Sequence, residues 1–291
     1  MATKSSKIFS FFTISLVVFF VILFLILIYS YFLVDQLTDF NHDLKRDGVC
    51  LIKNVISKQE IESLKRLCSA GDYKSVKKRL HSNMALKQEL IKNTGAGYVF
   101  QDYIWIIQKS SVHTCHRDNN GDFFNKGQKH PSYTFLIYLE DMEKCLGVIP
   151  KSHIEKGSYG VNIPNSLKHI ICNAGDVILF NANLIHVGSL DKKENNLRIQ
   201  MKFTHHDDIP HIKYYEDFNK ILNEEASVPK EMRRIQKNVS CMFPAITDYT
   251  QGENIRSARG SVDGVKVGWG QKMFSYLFYG NADYYDLPNA F

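Results

Sequence analysis

Hydrophobic positions fall into three regimes along the chain. From Ile8 to Val34 no residue is charged, and Phe, Leu, Ile and Val dominate with no polar stripe. A helix rising about 1.5 Å per residue over that stretch spans a hydrocarbon core of roughly 30 Å, so a single transmembrane anchor is expected. A secretory leader has an apolar run of only about 7–15 residues ending in small residues, whereas this one ends Tyr31-Phe32-Leu33-Val34-Asp35. A buried core helix would carry a polar face, and this stretch has none.

Past the anchor, Asp35 to Asp47 is polar and reads as a juxtamembrane linker. Gly48 to Asn54 predicts a short strand. Ser57-Lys58-Gln59-Glu60 has the form of a helix capping box. Ile61, Leu64 and Leu67 follow at helical spacing, so a helix is expected from about Lys58 to Ser69, with one or two more between Tyr73 and Lys92. From Tyr98 the period changes to short β-like runs: Tyr98–Gln108, Val112–His116, Tyr133–Leu139, Leu146–Ile149, Ile170–Cys172, Val177–Phe180 and Leu197–Phe203. Turn residues such as Asn119-Asn120-Gly121 and Asn173-Ala174-Gly175-Asp176 separate them. Many short strands at such intervals predict a sandwich, barrel or jelly roll rather than βαβ units.

Composition changes this picture little. A length of 291 residues with 44% hydrophobic content suits one sizeable domain or two small ones. The net charge of +6 is diffuse, with no basic run and no aromatic-basic groove, so no nucleic-acid partner is expected. Six cysteines show neither CxxC nor zinc-knuckle spacing and are expected mainly as buried thiols, although an oxidising lumen would let some pair. Lys4 and Lys7 precede the anchor, and the first basic residues after it are Lys45 and Arg46. The near flanks therefore favour a cytosolic N-terminus and a lumenal or extracellular domain, a bias that counting Lys53 removes. The sequon Asn238-Val239-Ser240 agrees with the lumenal side.

The candidate chemistry starts at His116-Arg117-Asp118. In an extended chain residues i and i+2 project to one face, so the imidazole and carboxylate point together while Arg117 points away. One more histidine would complete the two-His, one-carboxylate ligand set of non-haem iron(II) oxygenases. His186 is the leading candidate, following Gly175-Asp176-Val177-Ile178-Leu179-Phe180 and a short Asn-Ala-Asn loop. Beyond it, Ile199, Met201 and Phe203 alternate with Arg198, Gln200 and Lys202, giving one apolar and one polar face. A guanidinium on an inward polar face would grip a carboxylate by a bidentate pair. A second HxD, His206-Asp207-Asp208, lies in the run His205 to His211 and could hold a metal, but no apolar strand and arginine follow it, so a solvated loop is the expectation. His153 is expected at a turn, His113 faces away from His116 by strand parity, and Tyr103 and Tyr138 are expected in the core. The aromatic-rich tail around Trp269, Phe274, Tyr276, Phe278 and Tyr279 reads as a packed lid or an oligomer contact.

These residues together resemble the phytanoyl-CoA dioxygenase family of 2-oxoglutarate-dependent oxygenases. The ordered pattern is His116-Arg117-Asp118, then Leu146-Gly147-Val148-Ile149-Pro150-Lys151-Ser152-His153, similar to that family's G-x-(x)-x-x-P-G-S-H signature, then Gly175–Phe180 leading to His186, with Arg198 beyond. The similarity covers roughly residues 40 to 205. Lys151 stands where the family usually has glycine, and the segment after His205 matches no pattern of the family.

The resemblance implies a double-stranded β-helix (jelly roll), Fe(II) on His116, Asp118 and His186, and 2-oxoglutarate as co-substrate on Arg198, hydroxylating an unactivated C–H bond. The substrate could be a small molecule, a lipid, a glycan or a protein. A catalytically inactive anchored jelly roll used for binding is the alternative. The expected layout is a tail over 1–7, the anchor over 8–34, a linker over 35–47, the oxygenase-like domain with its N-terminal helices over 48–205, and an extension over 206–291 packed on the same domain.

Overall fold

The computed structural model describes residues 3–38, 43–109, 112–190, 197–223, 228–249 and 268–280. Helix α1 (Thr3–Phe32) opens the chain; its Thr13–Phe32 portion has a mean hydropathy of 2.8 and is long and apolar enough to cross a membrane by length and composition. Its final turn is not free. Ser30 is fully buried, and its carbonyl accepts a bond of 2.7 Å from Asn238 Nδ2 on α6 (Lys230–Met242). Arg234 Nη2 on the same helix donates to Leu33 O at 2.9 Å, and Lys237 pairs with Asp35. The sequon at Asn238 therefore sits on a buried helix face against α1. It is not on a surface loop and lends no support to the lumenal side.

The expected linker is likewise built into the structure. β1 (Gln36–Thr38) pairs in parallel with β7 (Lys168–Ile170), because the open edge of β7 offers unpaired backbone groups that an extended polar segment can satisfy. α2 (Leu44–Asp47) is capped by Asp43, whose side chain accepts from the Arg46 N–H, and it ends on Gly48 at φ 81°. That left-handed turn suits glycine. A Cβ there would run into the ring of His153, whose Nε2 lies 3.1 Å from Lys45 O. His153 is a packing residue of this turn.

β2 (Val49–Ile52) leads to three helices, α3 (Lys58–Ser69), α4 (Tyr73–His81) and α5 (Met84–Thr94). Ser57, Asp72 and Asn83 cap them by accepting backbone N–H groups, as the Ser57 box predicts. Their apolar faces, including Leu64, Val76, Leu80, Leu86 and Leu90, bury against a seven-stranded sheet. The path of that sheet runs β11 (Phe218–Asn223), β4 (Tyr103–Lys109), β10 (Arg198–His205), β5 (Tyr133–Tyr138), β8 (Val177–Asn181), β2, and β3 (Tyr98–Phe100) also pairs with β10. A second sheet runs β1, β7, β6 (Leu146–Val148), β9 (His186–Gly188).

From β4 onward the chain passes repeatedly between the two sheets, and the result is a jelly roll. Strand alternation sorts the side chains. Ile199, Met201 and Phe203 join the helix-facing core, while Leu136, Tyr138, Ile178 and Phe180 meet Leu146, Val148 and Ile170 between the sheets. Arg198, Gln200 and Lys202 share the inter-sheet face by the same parity.

Several boundaries differ from the sequence expectation. The run Tyr98–Gln108 splits at Gln101-Asp102, where Gln101 N–H donates to Lys202 O at 3.0 Å. Val112–His116 forms no ladder, only one bridge of His116 with His186. β9 and β11 are too short or too polar to stand out by period. Four cysteines pair as Cys115–Cys241 and Cys145–Cys172, while Cys50 and Cys68 are buried thiols. The expectation of mainly buried thiols is thus corrected, since the turns bring these pairs within bonding reach.

Lys151, where the resemblance has glycine, adopts φ 69°. A side chain in the left-handed region costs about 1–2 kcal/mol, partly returned because glycine loses more entropy on folding. Lys151→Gly is accordingly expected to stabilise the protein by about 0.5–1 kcal/mol in denaturant unfolding. An unchanged or lower midpoint would count against strain at this turn.

Candidate metal centre

The structure brings His116, Asp118 and His186 together: each offers a ligand atom, and these lie within 4.8 Å of one another. His116 and His186 bond reciprocally through their backbones, N–H to O, at 3.0 and 2.9 Å. Asp118 N–H donates to Ala182 O at 2.8 Å, holding the HxD segment alongside the approach to β9. Although Val112–His116 is not a strand, the segment is extended enough for the i, i+2 relation to hold.

Each imidazole has one nitrogen committed. His116 Nδ1 lies 2.9 Å from Thr114 O, and His186 Nδ1 lies 2.9 Å from Leu184 O. A ring nitrogen facing a carbonyl must be the N–H, so in each ring Nε2 is the atom left to meet a metal. That is the arrangement of a metal-binding histidine. His186 Nε2 is 3.6 Å from Asp118 Oδ1, and the two rings are 4.4 Å apart at their centroids. Burial, followed by the neighbouring His116, pushes the His186 pKa down to about 4, which keeps the ring neutral at physiological pH.

Asp118 divides its two oxygens. Oδ2 accepts from the Thr134 hydroxyl and from Lys202 Nζ, the latter at 3.1 Å, which leaves Oδ1 toward the histidines. Burial works to raise the Asp118 carboxyl, but Lys202, both histidines and Thr134 outweigh it and hold it well below the usual carboxylate range. Lys202 is itself buried, bonds Asn120 Oδ1 at 2.7 Å and lies 5.0 Å from the Tyr103 ring centroid. Its place on the polar face of β10 was visible in the alternation. That it neutralises Asp118 was not, because nothing local links residues 118 and 202.

Arg117 is the functional residue that pattern reading passed over. It points away from the metal site, as parity requires, but into the protein, where it is fully buried. Nε donates to Asn183 O at 2.8 Å, Nη2 to Ser152 O at 3.2 Å, and Nη1 pairs with Asp248. One guanidinium thus ties the HxD segment to the loop before His186, to the signature turn and to the extension. The Ser152 hydroxyl accepts the Ile185 N–H at 2.8 Å, immediately before His186. The Pro-Lys-Ser-His turn therefore works as a brace for β9.

Arg198 opens β10 opposite Tyr138 and Ile107 and is buried. Its guanidinium lies beside Gly188, two residues past His186: a Cβ built on Gly188 would stand 3.8 Å from Nη2. Arg198 and the histidine–aspartate cluster thus share the inter-sheet space. His113, by contrast, packs on Tyr279 with Nε2 2.8 Å from Gln236 Oε1, away from the cluster.

No family model matches the chain, and no curated protein matches it. Solved structures with a similar arrangement include HygX from Streptomyces hygroscopicus with nickel and 2-oxoglutarate bound, at 16% identity and a TM-score of 0.44 over 56% of this chain and 84% of that one. The epimerase SnoN from nogalamycin biosynthesis, in complex with Fe3+, alpha ketoglutarate and nogalamycin RO, has 15% identity and a TM-score of 0.44 over 56% and 80%. EvdO2 from Micromonospora carbonacea var. aurantiaca has 11% identity and a TM-score of 0.43 over 59% and 94%. Likenesses this distant carry no argument about activity, which rests on the chain's own side chains.

The donor set fits a divalent first-row metal. Two imidazoles and one carboxylate suit iron(II), and the carboxylate is already oriented by its second oxygen. Thr134→Val removes that hydroxyl while keeping the shape of the side chain. It is expected to weaken metal binding by about tenfold, read by titrating the metal-free protein with Mn(II). Unchanged affinity would mean that Lys202 alone orients Asp118.

Proposed function

We propose that this chain is a membrane-anchored Fe(II)- and 2-oxoglutarate-dependent oxygenase that hydroxylates a C–H bond of its substrate. The observation that carries the reading is the convergence of His116, Asp118 and His186, whose ligand atoms lie within 4.8 Å of one another, with a buried arginine on the same inter-sheet face. His116, Asp118 and His186 would hold the metal, and Arg198 would take the far carboxylate of 2-oxoglutarate. Iron(II) with 2-oxoglutarate and dioxygen would supply the oxidising chemistry that side chains lack, one oxygen atom going to the substrate and the other to succinate as carbon dioxide leaves.

The protein's own contribution is placement. Leu184 O and Thr114 O fix the two rings, Thr134 and Lys202 fix the carboxylate, and Arg117 locks the loops behind them. Tyr138 and Phe180 line the same buried space and exclude water. Residues 48–205 form the catalytic unit in this reading, α1 is the anchor, and the two disulfides favour the lumenal or extracellular side, where such bonds persist.

The test is conversion of 2-oxoglutarate to succinate by the purified full chain with Fe(II) and ascorbate. Wild type is expected to show slow turnover even without substrate. Arg198→Met should raise the 2-oxoglutarate concentration needed by roughly a hundredfold, the effect of stripping a buried charge partner at about 3 kcal/mol. Wild-type protein that loads iron yet neither binds nor consumes 2-oxoglutarate would sink the reading.

A further inference from the structure

At the foot of the anchor, side chains are sorted the reverse of what a surface in water favours. In the turn from Val161 to Asn165, Asn162 and Asn165 are buried, whereas Val161 and Ile163 are 60% and 59% exposed. The turn after α6 repeats the inversion: Thr247 and Asp248 are buried and Ile246 is 49% exposed. Water favours the opposite, since apolar surface gains by burial and polar groups lose by it. We propose that these apolar side chains meet a lipid bilayer, the one that α1 crosses, so that the jelly roll is seated with this face in the membrane interface. The proposal rests on the reading of α1 as an anchor and adds a lipid contact outside the span.

Position decides the occupant, because α6 runs back along α1. Arg234 and Lys237 meet Leu33 and Asp35, past the end of the anchor helix. Asn238 and Met242 both meet Ser30, inside it: Asn238 Nδ2 donates to Ser30 O at 2.7 Å, and the Ser30 hydroxyl stands 3.5 Å from Met242 Sδ. As α6 advances, its partners on α1 recede toward the apolar span, so its C-terminal end points at the bilayer. Ser30 is only about 3 Å of helix rise from Phe32, the last residue of the span.

The carbonyls at a helix C-terminus point onward along its axis and need donors. Here the Val161–Asn165 turn supplies them. Asn162 N–H donates to Met242 O at 2.6 Å, Asn162 Nδ2 to Cys241 O at 3.5 Å and Asn165 Nδ2 to Asn238 O at 3.4 Å. Asn162 thus closes the end of α6 from the membrane side. Its neighbours Val161 and Ile163 face outward and continue the exposed apolar surface that runs from Ile14 to Phe32.

Charge agrees with this placement. α6 carries Lys230, Arg233, Arg234 and Lys237 against one acid, Glu231. Arg234 and Lys237 lie at the level of Leu33 and Asp35, farther from the hydrocarbon than Met242. Apolar side chains at the depth of the span's end, with cations just above them, match the acyl boundary and the phosphate layer of an anionic membrane surface. A second copy of the chain gives no reason for that layering.

The experiment puts an environment-sensitive NBD label on single added cysteines of the full chain. The protein is reconstituted in vesicles containing phosphatidylserine, with and without brominated acyl chains as quencher. Leu25→Cys reports the span, Val161→Cys and Ile163→Cys report the proposed contact, and Met84→Cys is an exposed site on α5. The native thiols Cys50 and Cys68 are buried and do not compete for label. The labels at 161 and 163 are expected to shift to the blue and to be quenched, at a depth of about 5–10 Å. Leu25 should report a deeper position, and Met84 should stay unquenched. Quenching at Leu25 with Val161 and Ile163 as bright as Met84 overturns the proposal and leaves the anchor standing. Labels at 161 and 163 that shift to the blue without bromine quenching mean that protein covers them, which also overturns it. An unquenched Leu25 removes the anchor itself, and the proposal with it.

Discussion

His186→Ala is expected to bind Mn(II) or Fe(II) at the proposed metal centre at least about a hundredfold more weakly than wild type, and to form no succinate. Substitution of partners behind a metal ligand already costs about 10–100-fold, and this change removes a ligand itself. The alanine leaves the backbone bonds between residues 116 and 186 in place. The loss should therefore appear in metal content and not in secondary structure.

Asp118→Asn makes a useful contrast. It keeps the shape and the hydrogen-bonding capacity, but it leaves the buried Lys202 without its counter-charge. Breaking a buried pair costs about 3–5 kcal/mol, so this variant should lose stability as well as metal. A His186→Ala protein that retained wild-type metal affinity would remove the catalytic triad from consideration.

A comparably large effect on stability is expected from the Cys115–Cys241 bridge. It closes a loop with a sequence separation of 126 and joins the residue before His116 to α6. In the chain-entropy account a loop of that size contributes about 3–5 kcal/mol. Cys241→Ser is expected to lower the denaturant midpoint accordingly, with reductant, which opens both bridges, having a larger effect on wild type. Cys145–Cys172 spans a separation of only 27 and should contribute about 3 kcal/mol. Equal unfolding midpoints with and without reductant would show that these cysteines are not paired in solution and would remove the support for an oxidising compartment.

Much of this was legible in the chain because it is local. The Ser57 cap, the helix from Lys58 to Ser69 and the alternation of β10 follow from the period of their own residues. The candidate metal ligands stood out because i, i+2 geometry survives even where His116 makes only one bridge. What stayed hidden depends on distant partners. Lys202 finds Asp118, Arg117 finds Asp248, and Cys115 finds Cys241 only once the sheets have closed. The polar stretch Gln36–Thr38 gave no strand signal, since its pairing comes from the free edge of β7 rather than from its own composition. The sequon misled for a related reason: a tripeptide pattern says nothing about which helix face it occupies.

That short strand has a consequence for how far the protein can reach. β1 begins four residues after α1 ends, and Asp35 between them meets Lys237, Lys144 and His169. If the anchor lies in a bilayer, the jelly roll is not a ball on a string that samples a hemisphere of solvent. It is a fixture mounted at one height and one orientation. Any substrate of the proposed reaction would then be selected by altitude as much as by chemistry, because only bonds presented at that level above the lipid would reach the His116–Asp118–His186 cluster.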